Sequence, residues 1–154
     1  MTDMGIAIGL HLLGVLWWIG GLTFVTCVFL PLARTGKLGD IQAAFHLIES
    51  RFAPQVKTAL LLVGASGLYM VWRQQAWSWF ADPHRWWLTA MLLYWSWFAL
   101  MLFVLGPSGV LKRMMKGADG DQATAWRRLH LIHGVLLAIG LVIVFGAAGR
   151  YFFM

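Results

Sequence analysis

The chain has 154 residues, of which 60% are hydrophobic and 12% charged, and its formal net charge is +6. A soluble domain carries about 25% charged residues, so this composition excludes a water-solvated globule and, with a mean hydropathy of +0.73, implies a surface solvated by lipid. The positive charge does not imply nucleic acid, because the cations sit in short loops between apolar runs, where they orient membrane spans.

A spanning helix needs about 20 mostly apolar residues, and four stretches meet that need. The first covers 5–32 and ends in the charged loop after Arg34. It lacks a basic leader and is too long for the apolar stretch of a cleavable signal. Cys27, the single cysteine, lies inside this run and is expected to be a small core residue. In the following loop, Ile41, Ala44, Phe45, Leu47, Ile48 and Phe52 fall near helical spacing. They predict an interfacial amphipathic helix leading into the second span.

The second span covers 54–72, with Pro54 suited to the first turn, where a missing N–H costs nothing. After it come Trp77, Trp79, Phe80, Trp86 and Trp87, which read as an aromatic belt at the headgroup level or as a lid over a substrate. The third span, 83–106, opens on Asp82-Pro83 and stops at Gly106-Pro107. The polar stretch from Lys116 to Asp121 forms a turn and lacks the spacing of a calcium loop. The fourth span covers 129–153. No internal repeat is present, and residues 1–154 form one transmembrane domain.

Loop charges orient the spans. Arg34, Lys37, Arg51, Lys57, Lys112, Arg113, Lys116, Arg127 and Arg128 lie on one side, and only Arg73, Arg85 and Arg150 on the other. Nine cations against three place the first and third loops in the cytoplasm and both termini outside. The expected fold is therefore an all-α, multi-pass four-helix bundle in a bacterial-type inner membrane, with the lipid bilayer as its main partner and nucleic acid excluded.

Ionisable side chains inside a membrane are candidates for function, because they are costly there. His11 lies about 8 Å inside the outer end of the first span. Gly14, Trp18 and Gly21 follow it on one face, where small residues admit a second helix or a flat ring. His11 reads either as a metal ligand or as a hydrogen-bonding contact between helices. His130 and His133 open the fourth span and face similar directions. His133 has the same two readings, whereas His130 sits at the headgroups.

Vertical separation between His11 and His133 should be about 15 Å, so one iron held by both within a single chain is disfavoured. His46, three residues before Glu49, could close an inner metal site with His130 or His133, or be a solvated loop residue; His84 could join His11 in an outer one. Lys57 is expected to snorkel to the inner interface, or to pair with Glu49 or a tetrapyrrole propionate. Eight methionines suit Cu(I) in chemistry, but only Met1 and Met4, near His11, are suggestively spaced. Gly134 with Ala138, extended by Gly146 and Gly149, predicts a weak homodimer.

The run from His11 through Trp17, Trp18, Gly20 and Gly21 to Phe24 resembles the first helix of small proteins of the copper-resistance protein D type. Arg51-Phe52, Gly64-Ala-Ser-Gly67 and Gly149-Arg150-Tyr151 extend that resemblance across nearly the whole chain. The His–Trp–Gly pattern is also similar to haem-containing protoporphyrinogen oxidases of the HemJ type, also four-helix membrane proteins. There the first-helix histidine is associated with haem b, which would correspond to His11. The resemblance implies an inner-membrane protein that handles copper through His11. Alternatives are a b-type haem redox protein, with His11 or His133 as axial ligand to the porphyrin, and a non-catalytic membrane subunit.

Overall fold

Every regular element is helical in the computed structural model, which describes residues 2–35, 41–107 and 122–149. The first run is continuous from Asp3 to Arg34. It comprises α1 (Asp3–Phe24), a π-helical segment (Val25–Phe29) and α2 (Leu30–Arg34). Thr2 caps it, its hydroxyl accepting from the Gly5 N–H at 3.2 Å, and Asp3 sits in the first turn, where the helix dipole favours a carboxylate.

The helix expected over 41–52 and the second span that it leads into form one continuous helix, α3 (Ile41–Arg73), so the expected start of a helix at Pro54 is corrected. It is a single 33-residue helix with Pro54 inside it, not in its first turn. Proline removes one backbone donor there. Nearby side chains add hydrogen bonds along the same stretch, with Gln55 Nε2 donating to the Arg51 carbonyl at 3.1 Å and Thr58 Oγ1 to the Pro54 carbonyl at 3.0 Å. At its end, Gln75 adopts a left-handed conformation (φ 53°) that turns the chain out of the helix.

Two short 3₁₀ turns follow, Ala76–Ala81 and Pro83–Arg85. Asp82 caps the second by accepting from the His84 N–H at 2.9 Å, as its sequence position anticipates. It also pairs with Arg85 at 3.1 Å, and the Arg85 guanidinium lies 3.9 Å over the Trp79 ring. Then come α4 (Trp86–Ala99), a second π-helical segment (Leu100–Leu105) and α5 (Gln122–Gly149). The expected turn from Lys116 to Asp121, and Met1, Lys37, Lys112, Arg113 and residues 150–154, lie outside the described residues.

Among the described residues, three helical runs are long and apolar enough to cross a membrane: Asp3–Arg34, Pro83–Leu105 and Trp126–Gly149. Their surfaces carry Leu13, Leu16, Trp17, Leu93, Leu131 and Phe145 to the outside, as lipid solvation requires. By contrast α3, the main partner of α1, contributes Ala59, Leu60 and Val63 to the core. Trp18, Tyr94 and Ile143 complete the core from α1, α4 and α5.

Neighbouring helices run antiparallel. Asp3 meets Arg73 while Phe29 meets Phe45, and Trp86 meets Gly146 while Tyr94 meets Gly140. Small residues set these approaches. A Cβ on Gly64 would lie 2.5 Å from the Trp95 ring, and one on Gly146 2.6 Å from Trp86. Cys27, expected in the core, is instead exposed on the π-helical segment, because that turn presents Thr26 and Phe29 inward.

Candidate functional site

His11 is half-buried between α1 and α3. Its Nδ1 lies 3.1 Å from the Val63 carbonyl oxygen and 3.1 Å from Ser66 Oγ. A carbonyl only accepts, so Nδ1 carries the proton and donates, and Nε2 keeps its lone pair. Ser66 is buried and its hydroxyl bonds back to the Leu62 carbonyl one turn earlier. Gly67 completes the seat: a Cβ there would come 3.3 Å from His11 Cε1. One imidazole edge is thus anchored to α3, and the other edge is a base with no hydrogen bond among the described residues.

No Asp or Glu lies within 5–32, 54–72, 83–106 or 129–153, and a backbone carbonyl and a serine hydroxyl serve His11 in place of a carboxylate. The glycines below His11 also have occupants. A Cβ on Gly14 would lie 2.7 Å from Val63 Cγ2, and one on Gly21 would run into the Phe52 ring. Those positions serve close packing of α3 on α1.

Trp18, on the same face, is 4% exposed and wedged against Tyr94 and Phe98, at ring-centroid distances of 5.3 and 5.0 Å. Its Nε1 is buried with no hydrogen-bond partner among the described residues.

The other histidines do not gather around His11. His133 Nδ1 donates to the Leu129 carbonyl at 2.9 Å, and its ring lines a cavity with Trp18 and Glu49. His130 Nδ1 accepts from Arg34 Nη1 at 3.3 Å. His46 lies 3.6 Å from Glu49, both well exposed. His84 is exposed and engages Asp82 through its backbone N–H. Lys57 places its ammonium 5.9 Å over the Phe103 ring instead of pairing with Glu49. Among the described residues, no three His, Cys, Asp or Glu side chains cluster as a metal-binding group.

At the end nearest His11, Asp3 accepts from Arg73 Nε at 3.0 Å and from the Tyr69 hydroxyl at 2.9 Å. The Arg73 hydrogen bond, chiefly, holds the Asp3 carboxyl below its ordinary range. Asp3 therefore clips α1 to the end of α3 above the histidine. Sequence spacing alone reveals neither this clip nor Ser66, since both join residues more than fifty positions apart.

No family model matches the chain, and neither a curated protein nor a solved structure matches it.

Proposed function

We propose that this chain is a four-helix integral membrane protein, with both termini outside the cytoplasm, that binds a copper ion through Nε2 of His11. The observation that carries the reading is the hydrogen bond from His11 Nδ1 to the Val63 carbonyl. Histidines that ligate metals donate their other ring N–H to a carbonyl or carboxylate, which fixes tautomer and orientation and raises ligand basicity. Imidazole suits copper, and the resemblance to the copper-resistance protein D type favours that metal. His11 supplies one ligand; thioethers, solvent or a second copy supply the rest. Four apolar stretches of the sequence, three of which form helices long and apolar enough to cross a membrane, and the nine-to-three loop charge bias support the topology.

A second reading has its own observation. The same ring, with Ser66, ties α1 to α3, which is what a non-catalytic subunit would need from a polar contact between helices. Asparagine at position 11 separates the two, because its amide N–H can replace the Nδ1 donor but nothing replaces Nε2. Elemental analysis and an absorption spectrum of the purified protein provide the test. Stoichiometric copper that is lost in a folded His11→Asn variant supports the first reading. A metal-free protein whose His11→Asn variant is as stable as the parent, and whose His11→Ala variant is not, supports the second. A Soret band would instead select the haem b alternative.

A further inference from the structure

Charge is balanced at one end of the bundle and not at the other. At the end that carries Asp3, Arg73 pairs with Asp3 at 3.0 Å and Arg85 with Asp82 at 3.1 Å. The other carboxylate among the described residues, Glu49, lies 3.6 Å from His46. Arg34, Arg127 and Arg128, at the opposite end, are exposed and pair with no carboxylate among the described residues.

Two of these cations are brought to neighbouring positions. Arg34 closes the run Asp3–Arg34, and Arg127 stands in the first turn of the run Trp126–Gly149, both long and apolar enough to cross a membrane. Each therefore sits where an apolar span gives way to water, the level of the lipid headgroups. Arg34 Nη1 donates to His130 Nδ1 at 3.3 Å, which lays its guanidinium against α5. Arg127 precedes His130 by three residues and is its neighbour on the helix surface. Trp126 packs on Phe45, which packs on Phe29, at ring-centroid distances of 5.8 and 6.0 Å, so the start of α5 is fixed against the end of the first run. Neighbouring like charges repel, and an anion between them removes that cost.

The surface beyond Arg127 suits a lipid chain. Leu131, one turn deeper on the same side of α5, is 69% exposed, and Val135, a further turn on, is 51% exposed. A basic site thus leads directly onto an apolar rail. Arg128 differs from Arg127, because it lies about 160° around the helix from His130 and so points away from Arg34.

We propose that Arg34 and Arg127 together hold the phosphate of an anionic phospholipid, whose acyl chain runs along Leu131 and Val135. Guanidinium groups bind phosphate oxygens in pairs, and basic sites between membrane helices take lipid headgroups. Only the choice of leaflet rests on the topology proposed above; the binding itself rests on neither that orientation nor copper at His11.

Native mass spectrometry of the full chain in detergent tests it, with dioleoylphosphatidylglycerol, dioleoylphosphatidylcholine and glycerophosphoglycerol (the anionic headgroup without chains) as probes. Phosphatidylglycerol should bind at least about tenfold more tightly than either of the others, the worth of two basic residues at a lipid surface. Arg34→Gln and Arg127→Gln should each weaken it about fivefold. Arg128→Gln removes the same charge from the other side of α5 and should leave it unchanged. Circular dichroism of each variant should match that of the parent.

Equal affinity for the two lipids, Arg34→Gln and Arg127→Gln variants that bind phosphatidylglycerol like the parent, or an Arg128→Gln variant that loses as much as they do would each overturn the proposal. Glycerophosphoglycerol that binds as tightly as the lipid would overturn the assignment to a phospholipid and leave a site for free phosphate esters. A reversed topology would move the site to the outer leaflet and alter none of these affinities.

Discussion

Replacing Gly64 by alanine should be among the most damaging single-methyl changes in this protein. The Trp95 indole occupies the space beside Gly64, so an added Cβ would lie 2.5 Å from Cζ2 and 3.0 Å from Nε1. Trp95 cannot swing aside freely, because its Nε1 donates to the Leu60 carbonyl at 2.8 Å, across the α3–α4 interface. The methyl therefore either forces α4 away or ejects the indole. Overpacking a tight interface costs about 1–3 kcal/mol, and loss of the indole hydrogen bond adds about 1 kcal/mol. Alanine's helix preference offsets up to about 1 kcal/mol of this, so the expected loss is about 1–3 kcal/mol, measured as the shift in reversible unfolding of the detergent-solubilised protein.

Gly134→Ala is the matched control. Among the described residues nothing lies within 4 Å of a Cβ there, and alanine favours the helix by up to about 1 kcal/mol. A Gly64→Ala protein within about 0.5 kcal/mol of the parent, or no worse than Gly134→Ala, would refute the packing argument.

Further changes probe other parts of the structure. Tyr94→Phe removes the hydroxyl that donates to the Leu136 carbonyl at 2.8 Å and should cost about 1 kcal/mol in the same unfolding assay. Because the folded-state pKa of Asp3 is depressed, its contribution is present above the unfolded value near 3.8 and disappears as pH falls through the lower folded value. Asp3→Asn should therefore destabilise at neutral pH and converge with the parent in acid, as followed by pH-dependent melting. An alkaline phosphatase fused after Met154 should be active, as an external C-terminus requires, whereas a cytoplasmic fluorescent reporter at that point should be the bright fusion if the topology is reversed.

Much of the helical layout is legible from hydropathy alone, because lipid leaves the backbone few options. The Asp82-Pro83 start and the halt near Gly106 are local signals, and the structure keeps both. Pro54 shows where local rules fail. Proline marks a first turn by propensity, but the apolar face from Phe45 to Phe52 packs toward Phe29 and Gly21, which carries the helix through the proline. The site was half visible. Its histidine stands out as an ionisable group in an apolar run, whereas a carbonyl acceptor such as Val63 leaves no mark in a sequence. Gly14 and Gly21 did signal close approach, but what approaches is Val63 and Phe52. The two π-helical segments were hidden as well, because an extra residue in a turn has no side-chain signature.

The two edges of the His11 ring have opposite roles, and nitrogen magnetic resonance of the isotopically labelled histidines reads both at once. The protein in detergent, measured before and after addition of Cu(I), should show His11 with its proton on Nδ1 and a lone pair on Nε2. Cu(I) should then shift Nε2 while Nδ1 keeps the signature of an N–H bound to a carbonyl. A proton found on Nε2, or a His11 spectrum indifferent to Cu(I), would contradict the assignment of His11 as an oriented metal ligand.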